Sequence, residues 1–179
     1  TAVVKVAKAL YNQGKYARAA PLLAYVVSIL KQVSDQPGVN KHLATAQKNE
    51  AKCYLQLAKN SALALDMTKT RSYAREAIDL YTQAAGNAVK AQQWKLSGQI
   101  AIELAAAKAL DTAVAQGDNL IDAGKKAEDE ITATDYTPSG KPSSTKTTKT
   151  IKKPEGKADN TMLYVAGALG LAFLLLRKK

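Results

Sequence analysis

The chain has 179 residues, 46% of them apolar, and one cysteine, which supplies enough apolar surface for a packed domain and too few thiols for a disulfide scaffold. Alanine fills 33 positions against one Phe, one Trp and five Pro, a composition of closely packed helices that excludes an all-β fold. The net charge of +11 raises a nucleic-acid reading, but residues 136–179 carry nine basic and two acidic side chains around an apolar run, a placement that points to a membrane before a duplex.

Cys53 and His42 are the only residues of their kinds, so neither an internal disulfide nor a Cys/His zinc site can be assembled. The sequence starts at Thr1, as after removal of an initiator Met before a small residue, and no basic-then-apolar signal peptide follows; the N-terminus is expected to open inside the first helix. Val3, Val6, Ala7 and Leu10 recur at helical spacing until Asn12-Gln13-Gly14-Lys15 breaks the pattern, with Gly14 suited to a turn of positive φ. A second stripe runs through Ala19, Ala20, Leu23, Val26, Val27 and Leu30 and stops before Ser34-Asp35-Gln36-Pro37-Gly38, so the first two helices form a hairpin.

Residues 40–65 read as one long helix on which Lys41, Lys48, Lys52 and Lys59 fall within roughly 40° of one another at about 100° per residue. That face reads as lysine exposed to solvent, and Leu43, Ala46, Cys53, Tyr54 and Leu57 lie opposite. Cys53 is accordingly expected to be a small buried hydrophobe, with Glu50 sharing the apolar side as a paired or marginal carboxylate. Asp66, Thr68 or Thr70 caps a fourth helix running to Ala85, and Gly86-Asn87 supplies a stop and a new cap. The fifth helix, 88–115, is apolar nearly all round between Ile100 and Leu110 and is expected to be the most enclosed element. Gly117-Asp118 repeats the stop-and-cap signal before an acidic sixth helix to about Thr132. The expected fold is all-α over residues 1–135: six helices in three stacked hairpins, as a solenoid or an irregular bundle.

Residues Val3 to Lys31 resemble a tetratricopeptide repeat, with Ala7, Leu10, Gln13-Gly14, Tyr16, Ala19, Leu23 and Val26 where that family places its small, aromatic and turn residues. Glu76 to Ala84 is similar to the second helix of another repeat whose first helix carries Ala51 and Tyr54, and Trp94, Gly98 and Gln116-Gly117-Asp118 give a third echo. Pro21 interrupts the second helix, Lys31 stands where the family closes a repeat with proline, and the third and fifth helices exceed a 34-residue period. The resemblance implies a groove made by the first helix of each hairpin, in which lysines hold the carboxylates of a bound peptide. Carried over position by position, Lys8, Lys48, Lys52 and Lys95 face that groove, with Lys5 and Asn12 near its end, and an acidic segment of another protein is the implied ligand.

After Tyr136 the composition turns to Thr, Ser, Lys, Pro and Gly. Residues 136–160 are read as a semi-extended basic spacer unable to bury anything. Residues 161–179 are read as an isolated C-terminal transmembrane helix with a basic tail. Its apolar stretch, Met162 to Leu176, has 15 residues without a charge, about 22 Å of helix against a hydrocarbon core of roughly 30 Å. Met162, Leu163, Tyr164, Val165, Leu169, Leu171, Phe173, Leu174, Leu175 and Leu176 supply the lipid-facing surface, and Arg177, Lys178 and Lys179 reach the far headgroups. Charge on the two flanks favours a cytoplasmic N-terminal domain on a single-pass protein, with membrane lipid as the second partner and the spacer lysines adhering to anionic headgroups.

One His, one Cys, no Gly-rich phosphate loop after a strand and no carboxylate pair set by spacing in an apolar cleft leave nucleophilic, metal and hydride chemistries short of parts. The chain is therefore expected to be non-enzymatic and without cofactor or metal. Residues 141–157 offer phosphate contacts only, without aromatic interleaving, so nucleic acid would bind non-specifically if at all. Two readings share this architecture: a membrane-anchored helical scaffold or adaptor, and a structural protein of a lipid-containing virion or phage that links shell to membrane.

Overall fold

A computed structural model describes residues 2–36 and 38–134, and among them every element is an α-helix. The order is α1 (Ala2–Asn12), α2 (Tyr16–Gln32), α3 (Val39–Leu63), α4 (Met67–Lys90), α5 (Trp94–Gln116) and α6 (Leu120–Thr134). Each helix packs on the next in sequence, and α3 also meets α5 and α6. The spacer and anchor read from residues 136–160 and 161–179 lie outside the described residues.

The centre of the fold is the α3/α4 pair, and its sequence explains why. Ala44, Lys48, Ala51, Leu55, Ala58 and Ala62 on α3, and Thr70, Ala74, Ala77, Tyr81, Ala84 and Ala88 on α4, are all buried. Both series step by four and three residues alternately, the seam spacing of helices that stay in contact along their length. Alanine at most of these positions brings the backbones close, and Leu55 and Tyr81 are the large apolar side chains buried among them. A smaller cluster of Ala7, Ala19, Ala20, Leu23 and Cys53 ties α1 and α2 onto the same α3.

Four helices end in the same way. Lys15 N–H donates to the Leu10 carbonyl, Asp66 to Ser61, Gln93 to Ala88 and Asp118 to Ala113, each at 2.8–2.9 Å. This reach of five residues backwards needs the preceding residue in the left-handed region. Gly14 (φ 72°) and Gly117 (φ 70°) provide it without a Cβ penalty, whereas Leu65 (φ 60°) and Gln92 (φ 54°) adopt it as ordinary L residues.

Several element boundaries differ from those read in the sequence. The fourth helix does not stop at Ala85: α4 runs through Gly86-Asn87 to Lys90, and the turn falls at Ala91–Gln93. Ala84 and Ala88 are fully buried on either side, and Asn87 Nδ2 donates to Gln47 Oε1 at 2.7 Å, so packing carries the helix past a glycine whose intrinsic preference alone would end it. Pro21 does not interrupt α2 either. Ala17 and Pro21 are both exposed, so the Ala17 carbonyl, which loses its intrahelical donor to the proline, faces water. Asp66 is the cap of α4, its Oδ1 accepting from Lys69 N–H at 3.0 Å. Asn119, one residue beyond the expected Asp118, caps α6 by accepting from Ile121 N–H at 3.1 Å.

The most enclosed element is α3, not the fifth helix. Fourteen of the 25 residues of α3 are buried, against six of the 23 of α5. The apolar character of α5 comes largely from alanines such as Ala105 and Ala109, which sit on its exposed side. Alanine there reports helix propensity rather than burial.

Candidate anion-binding groove

The odd-numbered helices α1, α3 and α5 border a half-open cavity of about 570 Å³. Its apolar lining comes from Val4 and Tyr11 of α1 and Leu96 of α5, with the buried Ala7 and Leu23 behind them. Around that surface stand Lys8, Lys41, Lys48, Lys52 and Lys95, with Asn12, Thr45, Asn49, Gln93 and Gln99 between them. Among the described residues that line it there is no carboxylate, so the described lining is positively charged, with neutral hydrogen-bonding side chains between the lysines.

The four lysines expected at a groove, Lys8, Lys48, Lys52 and Lys95, are thus brought to one cavity from three helices. Asn12 lines it too, whereas Lys5 does not. The four-lysine stripe of α3 is divided. Lys41 is exposed, but Lys48, Lys52 and Lys59 retain only 6%, 7% and 8% of their surface. The expectation that this face is simply solvated is therefore corrected: α3 lies in the middle of the stack, so the stripe points at α5 and α6.

Countercharges meet these lysines from the facing helices. Glu103 of α5 is fully buried, and its Oε1 lies 3.5 Å from Lys48 Nζ and 3.6 Å from Lys52 Nζ. Lys48 also donates to Gln99 Oε1 at 3.3 Å. Lys59, two turns beyond the groove, pairs with Glu128 of α6 at 3.2 Å. The Tyr81 phenol is sealed in the same region, and burial, followed by the charge of Glu103, holds its pKa well above the ordinary value. The lysine stems run along apolar surface while the ammonium groups converge on polar partners.

A different buried carboxylate sits on the side of α3 that faces α2 and α4. Glu50 is 6% exposed and its Oε2 accepts no hydrogen bond. Burial first, and then the negative charge of Glu76, push its pKa from 4.5 up to about 7, with Lys31 opposing the rise. Expected to be paired or marginal, it is buried with one oxygen unsatisfied. Cys53 is fully buried beside it, and burial together with the Glu50 charge drives the thiol pKa up to about 12, with Lys52 acting against the rise. Cys53 is therefore a protonated core side chain and lacks the thiolate that nucleophilic chemistry requires.

Sequence reasoning overlooked Glu103 as the partner of the lysine pair and the neutral rim of Asn49, Gln93 and Gln99. The available signal for Glu103 was its position as the single charge between Ile100 and Ala107 in α5, since a lone carboxylate in an apolar stretch needs a cation opposite it. The residues read as lipid-facing, Met162 through Lys179, lie outside the described residues. Among the described residues no helix is long and apolar enough to cross a membrane, and no group of three or more His, Cys, Asp or Glu is placed to hold a metal ion. No family model, curated protein or solved structure matches this chain.

Proposed function

We propose that this chain is a non-enzymatic docking scaffold whose α1/α3/α5 groove receives an acidic segment of another protein. One observation carries the reading: five lysines ring an apolar-lined cavity with no carboxylate in its described lining. Positive charge attracts and orients an acidic chain, and the apolar lining at Val4, Tyr11 and Leu96 accommodates an interspersed apolar side chain. A duplex or an extended phosphate backbone would satisfy the lysines but leave that apolar surface without a partner. In the same reading, residues 161–179 hold the scaffold at a membrane and residues 136–160 space it from the surface, on the cytoplasmic side.

The test is fluorescence anisotropy of a labelled peptide alternating Glu and Leu, titrated with the full chain in non-ionic detergent. Lys8→Met/Lys95→Met, which removes two exposed rim charges, is expected to weaken binding by about tenfold. Raising the salt to about 0.5 M should weaken wild-type binding further by screening. Unchanged affinity in the double variant would discard the groove as the binding site.

A further inference from the structure

Lys48 and Lys52 both line the groove, and the carboxylate they share stands behind it in the core. Their distances to Glu103 Oε1, 3.5 Å and 3.6 Å, exceed the ~2.7–2.9 Å of a charge-assisted hydrogen bond. Charge rather than tight hydrogen bonding thus links these ammonium groups to Glu103. An ammonium carries three donors, and Lys48 already turns one toward Gln99 on the groove wall. Glu103 is 0% exposed, so no ligand touches it, and it acts on a ligand through the two lysines and through its own charge behind them.

Resting on the acidic-segment reading, we infer that Glu103 is a built-in counter-carboxylate of the groove: it positions Lys48 and Lys52 at the cavity wall and sets how strongly they attract a ligand's carboxylate. The internal carboxylate and an incoming one act on the same two cations. The Glu103 carboxylate gives the fold a countercharge for two lysines it buries and takes from the groove part of their pull on a ligand. Removing that negative charge separates the two effects. The fold becomes less stable, because two buried ammonium groups lose a shared partner. The groove becomes more attractive to anions, because one repulsive charge close behind it is gone. A carboxylate that served structure alone would show the first effect without the second.

The experiment compares wild type, Glu103→Gln and Lys8→Met/Lys95→Met as full chains in non-ionic detergent. Binding of the labelled Glu/Leu peptide is read by anisotropy, and thermal unfolding is followed with and without it. Glu103→Gln is expected to melt at lower temperature without peptide, to bind the peptide about tenfold more tightly at low salt, and to be stabilised by it more than wild type is. Rim-dependent binding that Glu103→Gln leaves equal or weaker would overturn the inference alone. Binding insensitive to Lys8→Met/Lys95→Met would instead remove the reading beneath it. If Glu103→Gln does not fold, Lys48→Met/Glu103→Gln deletes one charge of each sign from the trio. Measured against Lys48→Met it carries the same test: tighter binding supports the inference, and equal or weaker binding overturns it.

Discussion

Replacing Glu50 with glutamine is expected to raise stability by roughly 3 kcal/mol at pH 8 and by almost nothing at pH 4. The sign follows from the direction of the shift. The folded-state pKa is pushed up to about 7 from 4.5, so between those values the native chain holds a proton that the unfolded chain has released. Stability attributable to this group is fully present below about pH 4.5, declines as pH rises through about 7, and stays lost above it. The groups facing Glu50 fix this behaviour: Glu76 on α4 repels the charged form, Lys31 on α2 favours it without offsetting the burial, and Cys53 beside it on α3 remains a neutral thiol. Glutamine keeps the shape and removes the charge. Denaturant unfolding of both proteins at pH 5, 7 and 8 checks this, and an equal stability difference at all three would show that the Glu50 proton plays no part.

The second large effect concerns the alanine seam. Ala77 lies in the middle of α4 with no exposed surface and belongs to the same core cluster as Ala51, Ala58 and Leu55 of α3. Leucine at this position adds three carbons where two backbones pass closely. It forces the helices apart or the side chain off its rotamer, at a cost of about 3 kcal/mol. Ala105→Leu, on the exposed side of α5, adds the same atoms and should change stability by no more than about 0.5 kcal/mol. Chemical denaturation of the two variants makes the comparison. Similar losses in both would mean that alanine is required for helix propensity rather than for the approach of α3 and α4.

These two alanines also show what could be read in the sequence and what could not. Helical periodicity and the turns at Gly14 and Gly117 place most elements, because local spacing and positive φ are local properties. The α4 terminus was not legible: its left-handed residue is Gln92, a residue without that preference, while Gly86 lies inside the helix, where a Cβ added to it would meet nothing within 4 Å. Tertiary contacts at Ala84, Asn87 and Ala88 decide the outcome there. The enclosure of α5 is not legible in its sequence, because alanine counts as apolar whether it faces a core or water.

The groove lysines were legible as a face and not as a set of pairs. Lys41, Lys48, Lys52 and Lys59 share one side of α3 by spacing alone, but spacing does not say that α5 and α6 cover part of it. Glu103 and Glu128 are about fifty and seventy residues further on, and only the packing of α3 against both α5 and α6 brings them to the lysines. No local pattern links Lys8 of α1 to Lys95 of α5, so spacing alone does not place them at one cavity. Glu50 illustrates the converse: its apolar side of α3 was evident, but the unsatisfied oxygen depends on α2 and α4 closing over it.

The groove is tested most directly by amide NMR of the isotope-labelled full chain in detergent micelles, titrated with the unlabelled Glu/Leu peptide. Shifts are expected to concentrate at Asn12, Asn49, Leu96 and Gln99, on three helices that are separate in sequence but share one cavity. Shifts confined to the outward faces of α2 and α4, around Tyr25, Ile29 and Arg75, with those four residues unmoved, would contradict it.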